Sequence, residues 1–249
     1  MFDSIELIAI CLSFFAAGLV KGIIGLGLPI VSVALLTVWV GLQSALALLL
    51  IPALCSNAWQ GAVGGHAKTI IQKMWLFLTL ATLFVWVGTL TLTRFDLPLL
   101  SAFLGLVLLI YSTINMAGFR LVINDSQNKW LGPVFGVLNG IITGMTGASA
   151  VPSVIYFQAR GLARDEMIQA MGILFGLSTV SLAISLGGIG LLNAELAIIS
   201  LAALIPSIAG MVIGQKIRVK LSEMLFKRIF FIALMLLGIY IILSAEPWA

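Results

Sequence analysis

The residues best placed to do chemistry surround two clusters of glycine. The first reads Gly18-x-x-x-Gly22-x-x-Gly25-x-Gly27-x-Pro29 and contains Lys21. The second reads Gly136-x-x-x-Gly140-x-x-x-Gly144-x-x-Gly147, with Pro152 beyond it. Each lies in the middle of an apolar run. Glycine and proline at this density interrupt a helix. An interrupted helix presents backbone N–H groups that favour anions, and glycine lets a ligand approach that backbone closely. The amides at Gly22, Gly25 and Gly27, and at Gly144 and Gly147, are therefore candidate anion contacts. The competing reading is that these glycines only let helices pack closely. Lys21 lies deep in its apolar run. A charge there is costly to bury and points to function, here pairing with an anionic ligand. Its alternative role is to snorkel to the far interface.

Neutral polar residues extend the list. Asn139 is read as the counterpart of Lys21 in the second cluster, followed by Thr143, Thr146 and Ser149. Hydroxyls and amides beside a helix break can donate to oxyanions, or can simply bond neighbouring helices. Asn57 and Gln60 are three apart, hence on one helix face, and Gln169 is placed similarly in the other half. His66 sits with Lys68 in a predicted loop. Glu195, and Asp165 with Glu166, read as helix-start carboxylates. Trp39, Trp75, Trp130 and Trp248 read as interfacial belt residues. No acidic residue falls at mid-membrane, and no P-loop, HExxH or nucleophile elbow is present. No catalytic residue, metal site or cofactor is expected. Cys11 and Cys55 lie in apolar segments, giving neither a disulfide framework nor a CxxC site.

The elements that hold these residues must be membrane helices. The 249 residues are 61% hydrophobic and 9% charged, whereas soluble domains are about 25% charged. The solvent must be lipid. Net charge is +4, but the basic residues border apolar spans, so the positive-inside rule accounts for them and nucleic-acid binding is excluded. The start MFDSIE lacks the basic region of a cleaved signal peptide, so the first apolar stretch reads as retained.

Apolar segments cover 5–38, 43–64, 74–93, 98–119, 131–158, 167–187, 194–214 and 224–244. The two that carry the glycine clusters are longer than one span. They resemble each other, and Gln43-Ser44-Ala45 is echoed by Gln169-Ala170. The chain therefore reads as a duplication: an N-terminal repeat 1–119, a linker 120–130 and a C-terminal repeat 131–249.

Charge selects the topology. If each broken segment crosses once, Lys and Arg divide eight to four. If each is a hairpin that returns to its starting side, eleven of the basic residues share one face. These are Lys68, Lys73, Arg120, Lys129, Arg160, Arg164, Lys216, Arg218, Lys220, Lys227 and Arg228, with only Arg94 opposite and Lys21 inside a hairpin. The second arrangement obeys the positive-inside rule better. The expected fold is all-α, a polytopic transmembrane bundle of two inverted repeats, each a re-entrant hairpin plus three spanning helices. Both termini are expected on the periplasmic side. Inverted repeats with broken helices that meet near the midplane are the mark of a secondary transporter.

The first cluster, Gly18-Leu-Val-Lys21-Gly22-Ile-Ile-Gly25-Leu-Gly27-Leu-Pro29, resembles the signature of the TauE/SafE sulfite exporter family. So does Gly140-Ile-Ile-Thr-Gly144-Met-Thr-Gly147, and Asn57-Ala-Trp59-Gln60 is similar to that family's second-segment pattern. The resemblance covers essentially the whole chain. Leu28 stands where many members have glycine, and Gly147-Ala-Ser-Ala lacks the family's glycine run. The resemblance implies a bacterial inner-membrane carrier of sulfite, sulfonates or related oxyanions. Its partners would be that small anion and the lipid bilayer. The residues agree on charge class and leave three rivals: an anion channel, a non-transporting scaffold, and a metal permease, which the lack of buried carboxylates and histidines disfavours.

Overall fold

The computed structural model describes residues 2–118, 121–218 and 223–245. Arg120, Lys220, Trp248 and Ala249 lie outside them. The described residues form α1 (Ser4–Ile24), α2 (Leu28–Ala62), α3 (Ala67–Leu90), α4 (Leu97–Ala117), α5 (Asp125–Thr146), α6 (Ala150–Ala159), α7 (Arg164–Gly188), α8 (Ala194–Arg218) and α9 (Glu223–Ser244), with no strand among them. The chain is a multi-pass helical membrane protein. Seven helices, α1–α4 and α7–α9, are long and apolar enough to cross a bilayer. α6, at ten residues, extends about 15 Å at 1.5 Å per residue and is too short to cross.

Both interrupted segments break where the glycines predict, and the two helices that lead into the breaks are built alike. α1 starts with a capping box: Glu6 N–H donates to Asp3 Oδ1 at 2.7 Å, and Asp3 N–H to Glu6 Oε2 at 2.9 Å. α5 repeats it with Asn124 and Gln127, at 2.9 and 3.1 Å. Reciprocal caps of this kind satisfy donors that a helix start otherwise leaves open. α1 ends at Gly25 (φ 89°) and α5 at Gly147 (φ 69°), both in the left-handed region where glycine carries no steric penalty. Between segments 5–38 and 43–64 the range of α2 is interrupted at Gly41, whose backbone (φ 76°, ψ 163°) is not helical, so α2 consists of two helical stretches that meet there.

The helices gather into two compact units, residues 1–52, 95–119 and 190–249 in one, and 53–94 and 120–189 in the other. Each unit draws elements from both halves of the sequence. In the first, α1 packs along α8 and α4 along α9. Alanine-sized additions at Gly18 and Gly22 would strike the Ser207 and Met211 carbonyls, and at Gly210 and Gly214 the Phe15 and Leu19 carbonyls. This pairing means α1 and α8 run parallel. α4 meets α9 where a Cβ on Gly105 would stand 2.6 Å from Gly238 O.

In the second unit α3 packs against α5 and α7. A Cβ on Gly136 would lie 2.8 Å from Phe77 O, and on Gly140 2.7 Å from Ala81 O. One on Gly144 would strike Val85 O. α3 and α5 therefore also run parallel. α6 folds back so that Ile123 N–H donates to Ala159 O at 2.9 Å. α5 and α6 are thus a helical hairpin whose two ends meet. Arg160 closes that end, donating to Ile123 O at 2.8 Å and to Asp125 Oδ1 at 2.7 Å. Tyr156 O–H donates to Asn128 at 2.7 Å, and its ring stacks on Phe77 with centroids 4.4 Å apart. The helix that carries the break in each half thus packs on the next-to-last helix of the other half.

Candidate functional site

At the first break, Gly25 N–H donates to Lys21 O at 2.8 Å, which ends α1 cleanly. Gly27 (φ 108°) turns the chain, and α2 begins at Leu28. Pro29 has no N–H to lose in this first turn. Ser32 turns its hydroxyl back onto Leu28 O at 2.8 Å. Lys21 is only 5% exposed. Its side chain is held within protein rather than turned to the surface. Gly22 lies inside α1, against the α8 backbone. Its amide belongs to the helix ladder, and the glycine serves close packing. The N–H groups that this break can offer a ligand are those of the first turn of α2, which have no intrahelical acceptor.

The second break repeats the design. Gly147 N–H donates to Thr143 O at 2.7 Å. Ala148 N–H donates to Thr146 Oγ1 at 3.2 Å, and α6 starts at Ala150 with Pro152 in its first turn. Gly144 lies inside α5, backbone to backbone with Gly88 and Val85 of α3. Again the amides open to a ligand belong to the following helix. Gly22 approaches Gly214 as Gly144 approaches Gly88, and Gly25 caps α1 as Gly147 caps α5. This register makes Thr143 the counterpart of Lys21. The pairing of Asn139 with Lys21 is corrected by one helical turn, because two glycine spacings in the second cluster fit a four-residue step.

Asn139, Thr143 and Thr146 share one buried face of α5. The two threonines spend their hydroxyls on the carbonyls four residues back. Ser149 is buried, and so is Ser153, which bonds back to Ser149 O. Asn139 is fully buried, and its amide finds no hydrogen-bond partner among the described residues.

The other amides are tied into the scaffold. Gln169 donates to Gly61 O at 2.9 Å and accepts from His66 N–H at 2.7 Å. Gln60 donates to Ile168 O at 2.8 Å, where Gly61 and Gly172 bring α2 and α7 into backbone contact. These residues lock the end of α2 to α7. Asn57, fully buried, lies one turn earlier on α2. His66 Nδ1 stands 3.9 Å from Glu166 at the exposed end of this lock. Ser32, Ser153 and Ser178 are buried as well. Isolated serines in apolar helices carry no spacing signal, and only packing reveals their burial.

The site residues thus fall into two sets. Lys21, Gly22, Gly25 and Gly27 belong to the first unit. Asn57, Gln60, Asn139, Thr143, Gly144, Thr146, Gly147, Ser149 and Gln169 belong to the second. The first set brings a lysine and the second only groups that carry no charge. Among the described residues no cluster of three or more His, Cys, Asp or Glu could hold a metal ion. A family model described as sulfite exporter TauE/SafE matches residues 10–241. No curated protein and no solved structure matches the chain.

Proposed function

Because the chain belongs to the sulfite exporter TauE/SafE family, we propose that it is a secondary carrier that exports small oxyanions, sulfite or organosulfonates, across the bacterial inner membrane. The observation that carries this reading is a buried lysine, Lys21, beside one of two glycine-capped helix breaks of matching register. An intramembrane lysine costs about 2.5–3.5 kcal/mol on insertion scales, so its retention calls for a use. An anionic substrate is complementary to a lysine so placed. The opening turns of α2 and α6 add oriented N–H donors, and their helix dipoles favour negative charge.

In this mechanism Lys21 and the start of α2 bind the anion within the first unit, and Asn139, Ser149 and the start of α6 offer hydrogen-bond donors within the second. Alternating access then exposes the bound anion to either side of the membrane. The inverted-repeat topology with periplasmic termini belongs to the same proposal. It is supported by the equivalent packing of α1 on α8 and of α5 on α3.

The test is sulfite counterflow in proteoliposomes. The wild-type chain should show saturable counterflow. Lys21→Ala should insert at least as well, since it removes a buried charge, yet lose counterflow by tenfold or more. Unchanged flux in Lys21→Ala would reject the assignment, and single-channel currents in the wild type would replace the carrier with a channel.

A further inference from the structure

Most buried hydroxyls of the second unit are spent. Thr143, Thr146, Ser153 and Thr179 bond back to their own helices, and Ser181 donates across to Thr82 O at 2.7 Å. Asn139 on α5 and Ser178 on α7 are different. Asn139 is 0% exposed and Ser178 1% exposed. Neither amide atom of Asn139, nor the Ser178 hydroxyl, has a hydrogen-bond partner among the described residues. A native protein rarely leaves such groups unsatisfied, and a bound polar species is a standard reason for it.

The two residues also lie at one level of the unit. Gly140, next to Asn139, packs on Ala81 of α3, and Ser181, one turn past Ser178, bonds Thr82 of α3. α5 and α7 touch each other directly. Along the helix axes both unspent groups thus fall within about one 5.4 Å turn of the same α3 residues.

Resting on the proposed carrier function, we infer that Asn139 and Ser178 select a substrate oxyanion that brings one hydrogen-bond donor of its own. The donor would be a hydroxyl, an ammonium group or the acid proton of a hydrogen oxyanion. The reasoning is a count of donors and acceptors. A carboxamide offers two N–H donors and a carbonyl acceptor, and a hydroxyl offers one donor and two lone pairs. A bare oxyanion has only lone pairs. It satisfies the N–H and O–H groups and leaves the Asn139 carbonyl buried and unpaired. An anion with one donor satisfies both ends. Leaving one buried acceptor unmatched corresponds to roughly a 5- to 150-fold loss of affinity.

The experiment uses the purified full chain and two near-isosteric sulfonates, 2-hydroxyethanesulfonate and propane-1-sulfonate, read by calorimetry and thermal unfolding. The wild type should prefer the hydroxyl-bearing anion by roughly 5- to 150-fold. Asn139→Leu should reduce the preference to a few-fold at most, and Ser178→Ala should weaken it. Ligand-free Asn139→Leu should melt no lower than wild type, because an unsatisfied amide has been replaced by an apolar group of similar size. Equal wild-type affinity for the two anions would overturn the inference and leave the carrier reading standing. So would a preference that survives in an Asn139→Leu protein of lowered melting temperature, which would make Asn139 structural. Failure of the wild type to bind either anion, or sulfite, would overturn both.

Discussion

At the residue scale the chain separates polar groups that bond neighbouring elements from buried polar groups with no hydrogen-bond partner among the described residues. Gln169 and Gln60 have the residue type of site residues, yet their amides bond backbone groups of the neighbouring helix and of the loop before α3. Asn139 has the same kind of side chain and no such partner. Arg160 is a fastener of the first type. Its guanidinium donates to Asp125 and holds that carboxyl below the usual carboxylate range. A depressed acid contributes stability that is complete above its unfolded pKa and lost as pH falls through the folded value. The clasp should therefore weaken below pH 3.8, the ordinary value for Asp125. Thermal unfolding between neutral and acid pH should show a small acid-side loss in wild type that Asp125→Asn abolishes, small because this carboxylate is exposed. An unchanged acid profile in Asp125→Asn would show that the clasp is not titrated.

At the element scale, glycine does two separate jobs. Gly25 and Gly147 stop helices by adopting positive φ. Gly22 and Gly144, a few residues earlier, allow backbone-to-backbone contact with α8 and α3. An alanine at either inner position overlaps backbone, which cannot move aside as a flexible side chain can. Gly22→Ala and Gly144→Ala should each destabilise the purified protein by roughly 1–3 kcal/mol, the usual range for overpacking. Gly176→Ala is the control. It lies within α7 with nothing within 4 Å of the added atom, so it should be neutral or stabilising by about 0.5–1 kcal/mol. Comparable losses at all three positions in a thermal-unfolding assay would rule out the close-packing account. The glycine spacing made both breaks legible in sequence. It could not divide capping from packing, because each cluster has more glycines than a cap requires.

At the scale of the whole molecule, the hairpin formed by α5 and α6 has direct geometric support. Ile123 and Ala159 are hydrogen bonded, so the chain leaves the hairpin at the end where it entered. The proposed topology puts that end on the cytoplasmic side with Lys68. In a background lacking Cys11 and Cys55, Lys68→Cys and Gly161→Cys should react with an impermeant thiol reagent only in inside-out vesicles. Asn193→Cys should react only from the periplasmic face. Labelling of Gly161→Cys and Lys68→Cys from opposite faces would exclude the re-entrant arrangement.

Composition and local pattern alone determined that this is a polytopic helical membrane protein, where its helices break and which family it resembles. These properties depend on runs of apolar residues, on glycine and proline, and on loop charges, all of which act over a few neighbouring residues. Tertiary structure alone decided which polar side chains are spent and which are open. It also decided that Thr143 rather than Asn139 answers to Lys21, and that the compact units cut across the sequence halves. Those outcomes depend on which helix lies against which, and contacts such as Gly22 with Gly214 or Ser181 with Thr82 join residues far apart in the chain.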